Sequence, residues 1–110
     1  MKFRNNAHRT AFMEAIKGMR RSDYAELAAV YSLTADGRLW SQVKHCVRRN
    51  EIRFDQMKPT GNTRSSYALL CIAKDLCLGT THIALGDLAD PELIPPKLFG
   101  VICNAIAIRR

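Results

Sequence analysis

The stretch LLCIAKDLCLGTTH, residues 69–82, sets two cysteines and a histidine in a short apolar run of an arginine-rich chain. Extended back to Tyr67, it predicts a helix as far as Leu78 that is apolar almost all round. Only Lys74 and Asp75 interrupt it, and Gly79 supplies the C-terminal stop. A helix without a broad polar face must be central. Cys71 and Cys77, six residues apart, sit roughly 120° from each other round such a helix and cannot clasp one ion. There is no C-x-x-C pair, and His45 and Cys46 point to different faces. Cys46 and Cys103 lie on apolar or small-residue faces and are expected to behave as small hydrophobes. The run reads as core, and neither a metal nor a cofactor is expected.

Working outward, apolar spacing predicts the other helices. In residues 6–19, His8, Phe12, Ala15, Ile16 and Met19 share a face, closed by Gly18 and Arg20-Arg21. Residues 23–33 follow, with Ser22 as N-cap and Tyr24, Leu27, Ala28 and Tyr31 as the buried stripe. Residues 33–37 form a turn. A third helix is expected over 38–49, with Leu39, Trp40, Val43, Cys46 and Val47 on its inner side. Residues 50–60 lose the period, and Pro59 stops them. Thr60 to Ser66 offer several N-caps for the central helix. His82 to Leu85 suggest an extended piece before the turn-rich 86–96. The last helix, 96–108, opens on proline and turns Leu98, Val101, Ile102, Ala105 and Ile106 to one side. The expected fold is all-α: one compact domain, 1–110, of about five helices around a central apolar one, with little or no sheet.

With 47% apolar and 25% charged residues, the 110-residue chain has the composition of a globular domain. Its longest apolar run falls well short of the ~20 residues that span a bilayer. The first six residues are charged without an apolar stretch behind them, so no signal peptide is expected. A cytoplasmic protein is, with its cysteines as thiols. Charge is unevenly placed. Residues 1–64 hold 13 Lys and Arg against 6 Asp and Glu, whereas residues 65–110 hold 4 against 4, so the first part carries the whole net +7. Such asymmetry points to a polyanion or an acidic surface as partner.

On the outer side of the predicted third helix, Arg38, Gln42, His45 and Arg49 form a stripe that Arg48 and Arg53 extend. Guanidinium groups so spaced can meet successive phosphates, releasing counterions and making binding salt-dependent. Thr60, Gly61 and Arg64 form a second anion contact, because free amides at a helix start attract negative charge. The loop lacks the second glycine and the Gly-Lys-Ser/Thr ending of a P-loop. Residues 23–49 have helix-turn-helix order, but Leu33 stands where the tight DNA-binding turn needs glycine and Gly37 comes too late. No G-x-S-x-G or H-E-x-x-H motif is present. An enzyme is not expected, although a site assembled in space from His8, Asp23 and a serine is the alternative.

These positions also resemble a family of short uncharacterised proteins, a domain of unknown function in gut Firmicutes and their mobile elements. The shared residues are His8, Phe12, Asp23, Tyr31-Ser32-Leu33-Thr34, Thr60-Gly61, Ile72-Ala73 with Leu76 and Gly79, and Ala105-Ile106 with Ile108-Arg109. Cys77-Leu78 departs from the aromatic and Asn that precede the family's glycine. The resemblance implies a bacterial host and a phage or conjugative element, without a mechanism. The expected function is a non-enzymatic basic binding protein that docks its basic helical face on nucleic acid or a nucleoprotein. The alternative is an anti-CRISPR-like inhibitor of a host defence nuclease acting by protein contact. Either allows a homodimer through the aliphatic last helix.

Overall fold

Helices dominate the computed structural model, which describes residues 1–49 and 51–110. Asn50, at the start of the irregular 50–60 stretch, lies outside the described residues. Six helices occur among them: α1 (Asn6–Ala15), α2 (Tyr24–Thr34), α3 (Gly37–Val43), α4 (Arg64–Leu78), α5 (Leu85–Leu88) and α6 (Pro96–Arg109). The one sheet among the described residues pairs β1 (Val47–Arg48) antiparallel with β2 (Glu51–Ile52). The fold is all-α, as the apolar spacing predicts.

The central helix, however, is α2 and not the one containing residues 69–78. Every residue of α2 from Leu27 to Thr34 is buried, and α1, α3, α4 and α6 all pack on it. Ala28 and Ala29 are fully buried, and side chains that small let neighbouring helices approach closely. Two of its buried hydroxyls are satisfied from within. Ser32 Oγ donates to the Ala28 carbonyl at 2.9 Å and Thr34 Oγ1 to that of Val30 at 2.7 Å. Tyr24, expected in the buried stripe, is 53% exposed. Asp23 rather than Ser22 occupies the N-cap, without a side-chain capping bond. In α4 the buried side runs through Ala68, Leu69, Leu70, Ile72 and Ala73, while Tyr67 and Leu78 are exposed.

Three further expectations are corrected. First, α1 ends at Ala15, although Ile16 and Met19 remain buried; Gly18 turns the chain with φ +81°. Second, the 82–85 piece leads into α5 instead of a strand. Asp75 organises it, accepting from Thr80 Oγ1 (2.6 Å), from the His82 amide and ring (both 2.9 Å) and from the Ile83 amide (2.8 Å). Burial pushes the Asp75 carboxyl up, but these donors outweigh it and hold it below the usual carboxylate range. Third, the sulfurs are not uniformly hidden. Cys46 is buried, Cys71 and Cys77 are half-buried, and Cys103 is exposed.

Capping bonds fix how the helices run. Thr63 Oγ1 accepts from the Ser66 amide at 3.1 Å and starts α4. Gly79, at φ +74°, ends it. Asp36 starts α3 by accepting from the Leu39 amide at 3.0 Å, and its other oxygen accepts from the Ser66 hydroxyl. The end of α2, the start of α3 and the start of α4 therefore meet, while Glu26 and Cys77 from the opposite ends of α2 and α4 line one cleft. Helices α2 and α4 are antiparallel. Helices α4 and α6 run parallel: Ser65 Oγ donates to the Leu93 carbonyl (2.7 Å) before α6, and Arg109 Nε donates to that of Leu76 (3.0 Å) at its end.

The N-terminal segment is pinned to α2 through His8. The Arg4 amide donates to His8 Nδ1 at 3.0 Å, which leaves the ring proton on Nε2, 2.8 Å from the Tyr31 carbonyl that accepts it. Phe3 and Phe12 pack around His8 and Tyr31 with ring centroids 4.6–5.9 Å apart. The Tyr31 hydroxyl donates to the Lys2 carbonyl at 2.6 Å and accepts from Asn104 at 3.1 Å. Burial pulls the His8 imidazole below its ordinary 6.5; the Tyr31 carbonyl opposes this more weakly, and the nearby Arg4 adds to it.

Below pH 6.5 the unfolded chain takes up a proton at His8 before the folded chain does. The stability this residue contributes is therefore complete above that pH and declines as pH falls toward the folded value. Thermal unfolding of the wild type and of His8→Gln between pH 7.5 and 5 checks this. The wild type is expected to lose more stability over that interval than the variant, whatever their difference at pH 7.5.

Candidate nucleic-acid interface

Helix α3 is short because its apolar period continues into a different structure. Leu39 and Val43 are buried, and Lys44–Cys46 then tightens into a 3-10 turn that buries Cys46. The Cys46 carbonyl accepts from the Arg53 amide at 2.9 Å, drawing the returning strand alongside. In the β1–β2 pair, Val47 faces Ile52 and Arg48 faces Glu51. Side chains alternate across such a pair. Val47 and Ile52 are half-buried, and Arg48 and Glu51 are exposed. The continuous helical stripe expected over 38–49 is thus not formed. Its cations are distributed over a helix, a turn and a strand.

Those residues nevertheless fall into two groups. Arg48, Arg49 and His45 border a groove of about 410 Å³ whose lining also includes Lys17, Lys44 and Trp40. Arg49 lies over the turn after α1, where a Cβ added to Gly18 would sit 2.7 Å from its Nε. Two lysines and two arginines, Lys17, Lys44, Arg48 and Arg49, line the groove against one carboxylate, Glu14. Lys17 pairs with Glu14 at 2.8 Å, both exposed, and such surface pairs are weak. Arg53 stands next to this group and pairs with Glu51 at 3.2 Å.

The second group joins Arg38 and Gln42 to the loop before α4. Gln42 Nε2 donates to the Thr60 carbonyl at 2.9 Å, and its Oε1 accepts from Asn62 Nδ2 at 2.6 Å. Gly61 adopts φ +68°, with Arg38 against it: a Cβ there would be 2.8 Å from the guanidinium. Two contacts that are separate in sequence, the stripe and the Thr-Gly loop, are neighbours in space. Gln42 serves as the tie between them. Arg64 is exposed and lines a second groove of about 390 Å³ with Gly61, Tyr67 and Cys71.

Trp40, Lys17 and Lys44 are the members that sequence reasoning left out. Trp40 belongs to the inner side of the predicted helix and does pack on the core, but only as a half-buried residue. Lys44 adjoins His45 and was legible as part of the basic run. Lys17 lies more than twenty residues away, and nothing in its spacing connects it with the turn. Both ring nitrogens of His8 bond to backbone groups, Nδ1 to the Arg4 amide and Nε2 to the Tyr31 carbonyl.

Comparison of the chain with protein-family models, curated proteins and solved structures yields no match. Function is therefore read from geometry and charge.

The Gln42 tie predicts a stability effect separable from binding. Gln42→Ala removes two hydrogen bonds, and Gly61→Ala forces an L-residue into the left-handed region. Each is expected to cost roughly 1–2 kcal/mol in urea unfolding. Because both loosen one loop, the double variant should cost less than the sum.

Proposed function

We propose that the chain is a non-enzymatic nucleic-acid-binding module whose contact surface is the groove bordered by Lys17, Lys44, His45, Arg48 and Arg49. One observation carries this reading: cations from the end of α1, the 3-10 turn and the β1–β2 pair converge on one concavity that holds a single carboxylate. Each phosphate neutralised there would release condensed counterions, so affinity would fall steeply with salt. Arg38 and Arg64, beside the Thr60-Gly61 loop, extend the positive surface for a strand that leaves the groove. The uneven charge of the sequence agrees, since residues 65–110 contribute no net charge. No helix among the described residues is long and apolar enough to cross a membrane.

Neutralising Arg48 and Arg49 tests the reading. Glutamine is the substituent because a carboxylate at 48 would face Glu51 across the strand pair. In anisotropy titrations with labelled oligonucleotides, the Arg48→Gln, Arg49→Gln variant is expected to bind at least tenfold more weakly. Its slope of log affinity against log salt should fall by up to about two, with thermal unfolding shifted by no more than a few degrees. Affinity indifferent to salt and to these substitutions would overturn the proposal. So would co-purification with a protein from nuclease-treated lysate without affinity for any nucleic acid, the behaviour of a defence-enzyme inhibitor.

A further inference from the structure

We infer that the groove accepts single-stranded nucleic acid in preference to duplex, with a base stacked on Trp40. This rests on the nucleic-acid reading above and specifies its substrate. Three features of the site favour a single strand. An aromatic residue, Trp40, lines the concavity and is half-buried, with Lys17 joining it from the end of α1 and Lys44, Arg48 and Arg49 from the chain beyond α3. Bases of a single strand expose the ring faces that such a surface needs, whereas in a duplex those faces are covered by their neighbours. Stacking combined with flanking cations is the usual way unpaired strands are held.

Trp40 is also held firmly enough to act as a platform. It packs on the core from a helix fixed at its start by the bond from the Leu39 amide to Asp36, and along its length by the bond from Gln42 to Thr60. A ring already fixed in place loses little conformational entropy when a base settles on it. The third feature is what α3 is unsuited to do. A duplex reader presents several side chains from one helix into the major groove. Helix α3 has only seven residues, its Gln42 is engaged by the loop, and the cations Lys44, Arg48 and Arg49 come after it ends.

The chain has one tryptophan, so its fluorescence reports on the site directly. The intact protein is titrated with short poly(dT) and poly(U) strands and with a mixed-sequence duplex. Quenching by the single strands is expected, with affinity about tenfold or more above that for the duplex. In anisotropy titrations with labelled strands, because neither variant keeps the fluorophore, Trp40→Ala is expected to lose roughly 5- to 150-fold in single-strand affinity, while Trp40→Phe, which keeps a ring, retains most of it. Should Trp40→Ala fail to fold, the phenylalanine variant and wild-type quenching still decide. Equal or tighter duplex binding, or single-strand binding that leaves Trp40 fluorescence unchanged, would overturn the inference and leave the nucleic-acid reading standing. Absence of binding to all three probes would overturn both.

Discussion

Complete burial of one helix is the constraint on which the structure depends. From Leu27 to Thr34, α2 exposes no face to water, so other elements must cover it on every side. Burying each of its larger side chains is worth roughly 1.5–3 kcal/mol, and the buried Ser32 and Thr34 hydroxyls do not count against this because they are satisfied inside the helix. Asp36, two residues past α2, then sets the direction of the next two helices. One of its oxygens starts α3 and the other holds Ser66 at the start of α4. With α3 aimed in this way, the turn and strand pair beyond it are carried to the neighbourhood of α1, where the groove forms.

Most of the helices can be read from the sequence because their signals are local. Gly79 ends α4, Pro96 opens α6, and the apolar positions Leu98, Val101, Ile102 and Ala105 of α6 are buried. The choice of central helix is not legible in the same way. Tyr31, Ser32 and Thr34 make α2 look amphipathic, yet each finds its hydrogen bonds without water. Helix α4 looks uniformly apolar but leaves Tyr67 and Leu78 exposed. Composition alone does not distinguish a polar side chain satisfied inside from one that needs solvent.

The region after α3 misleads for a related reason. Burial of Leu39, Val43 and Cys46, with Val47 half-buried, continues a helical period. A 3-10 turn leading into a strand places its inward residues at nearly the same spacing. The bond from the Arg53 amide to the Cys46 carbonyl and the β1–β2 pairing mark the change. The basic character of this region was legible; its shape was not. A flat helical stripe becomes a concave site with an aromatic wall, and Lys17 joins it from a segment with no sequence relation to it. His8 holds the N-terminal segment, and Asp75 holds the loop after α4.

Convergence of the separate cations and Trp40 into one occupied surface is most directly tested by amide and indole chemical-shift mapping of the labelled protein during titration with a short unpaired strand. The account predicts that the largest perturbations fall together on the Trp40 indole, Lys17, and residues 44–49, with α5 unaffected. Perturbations centred on any other face, with the Trp40 indole and the 44–49 turn unmoved at saturation, would contradict it.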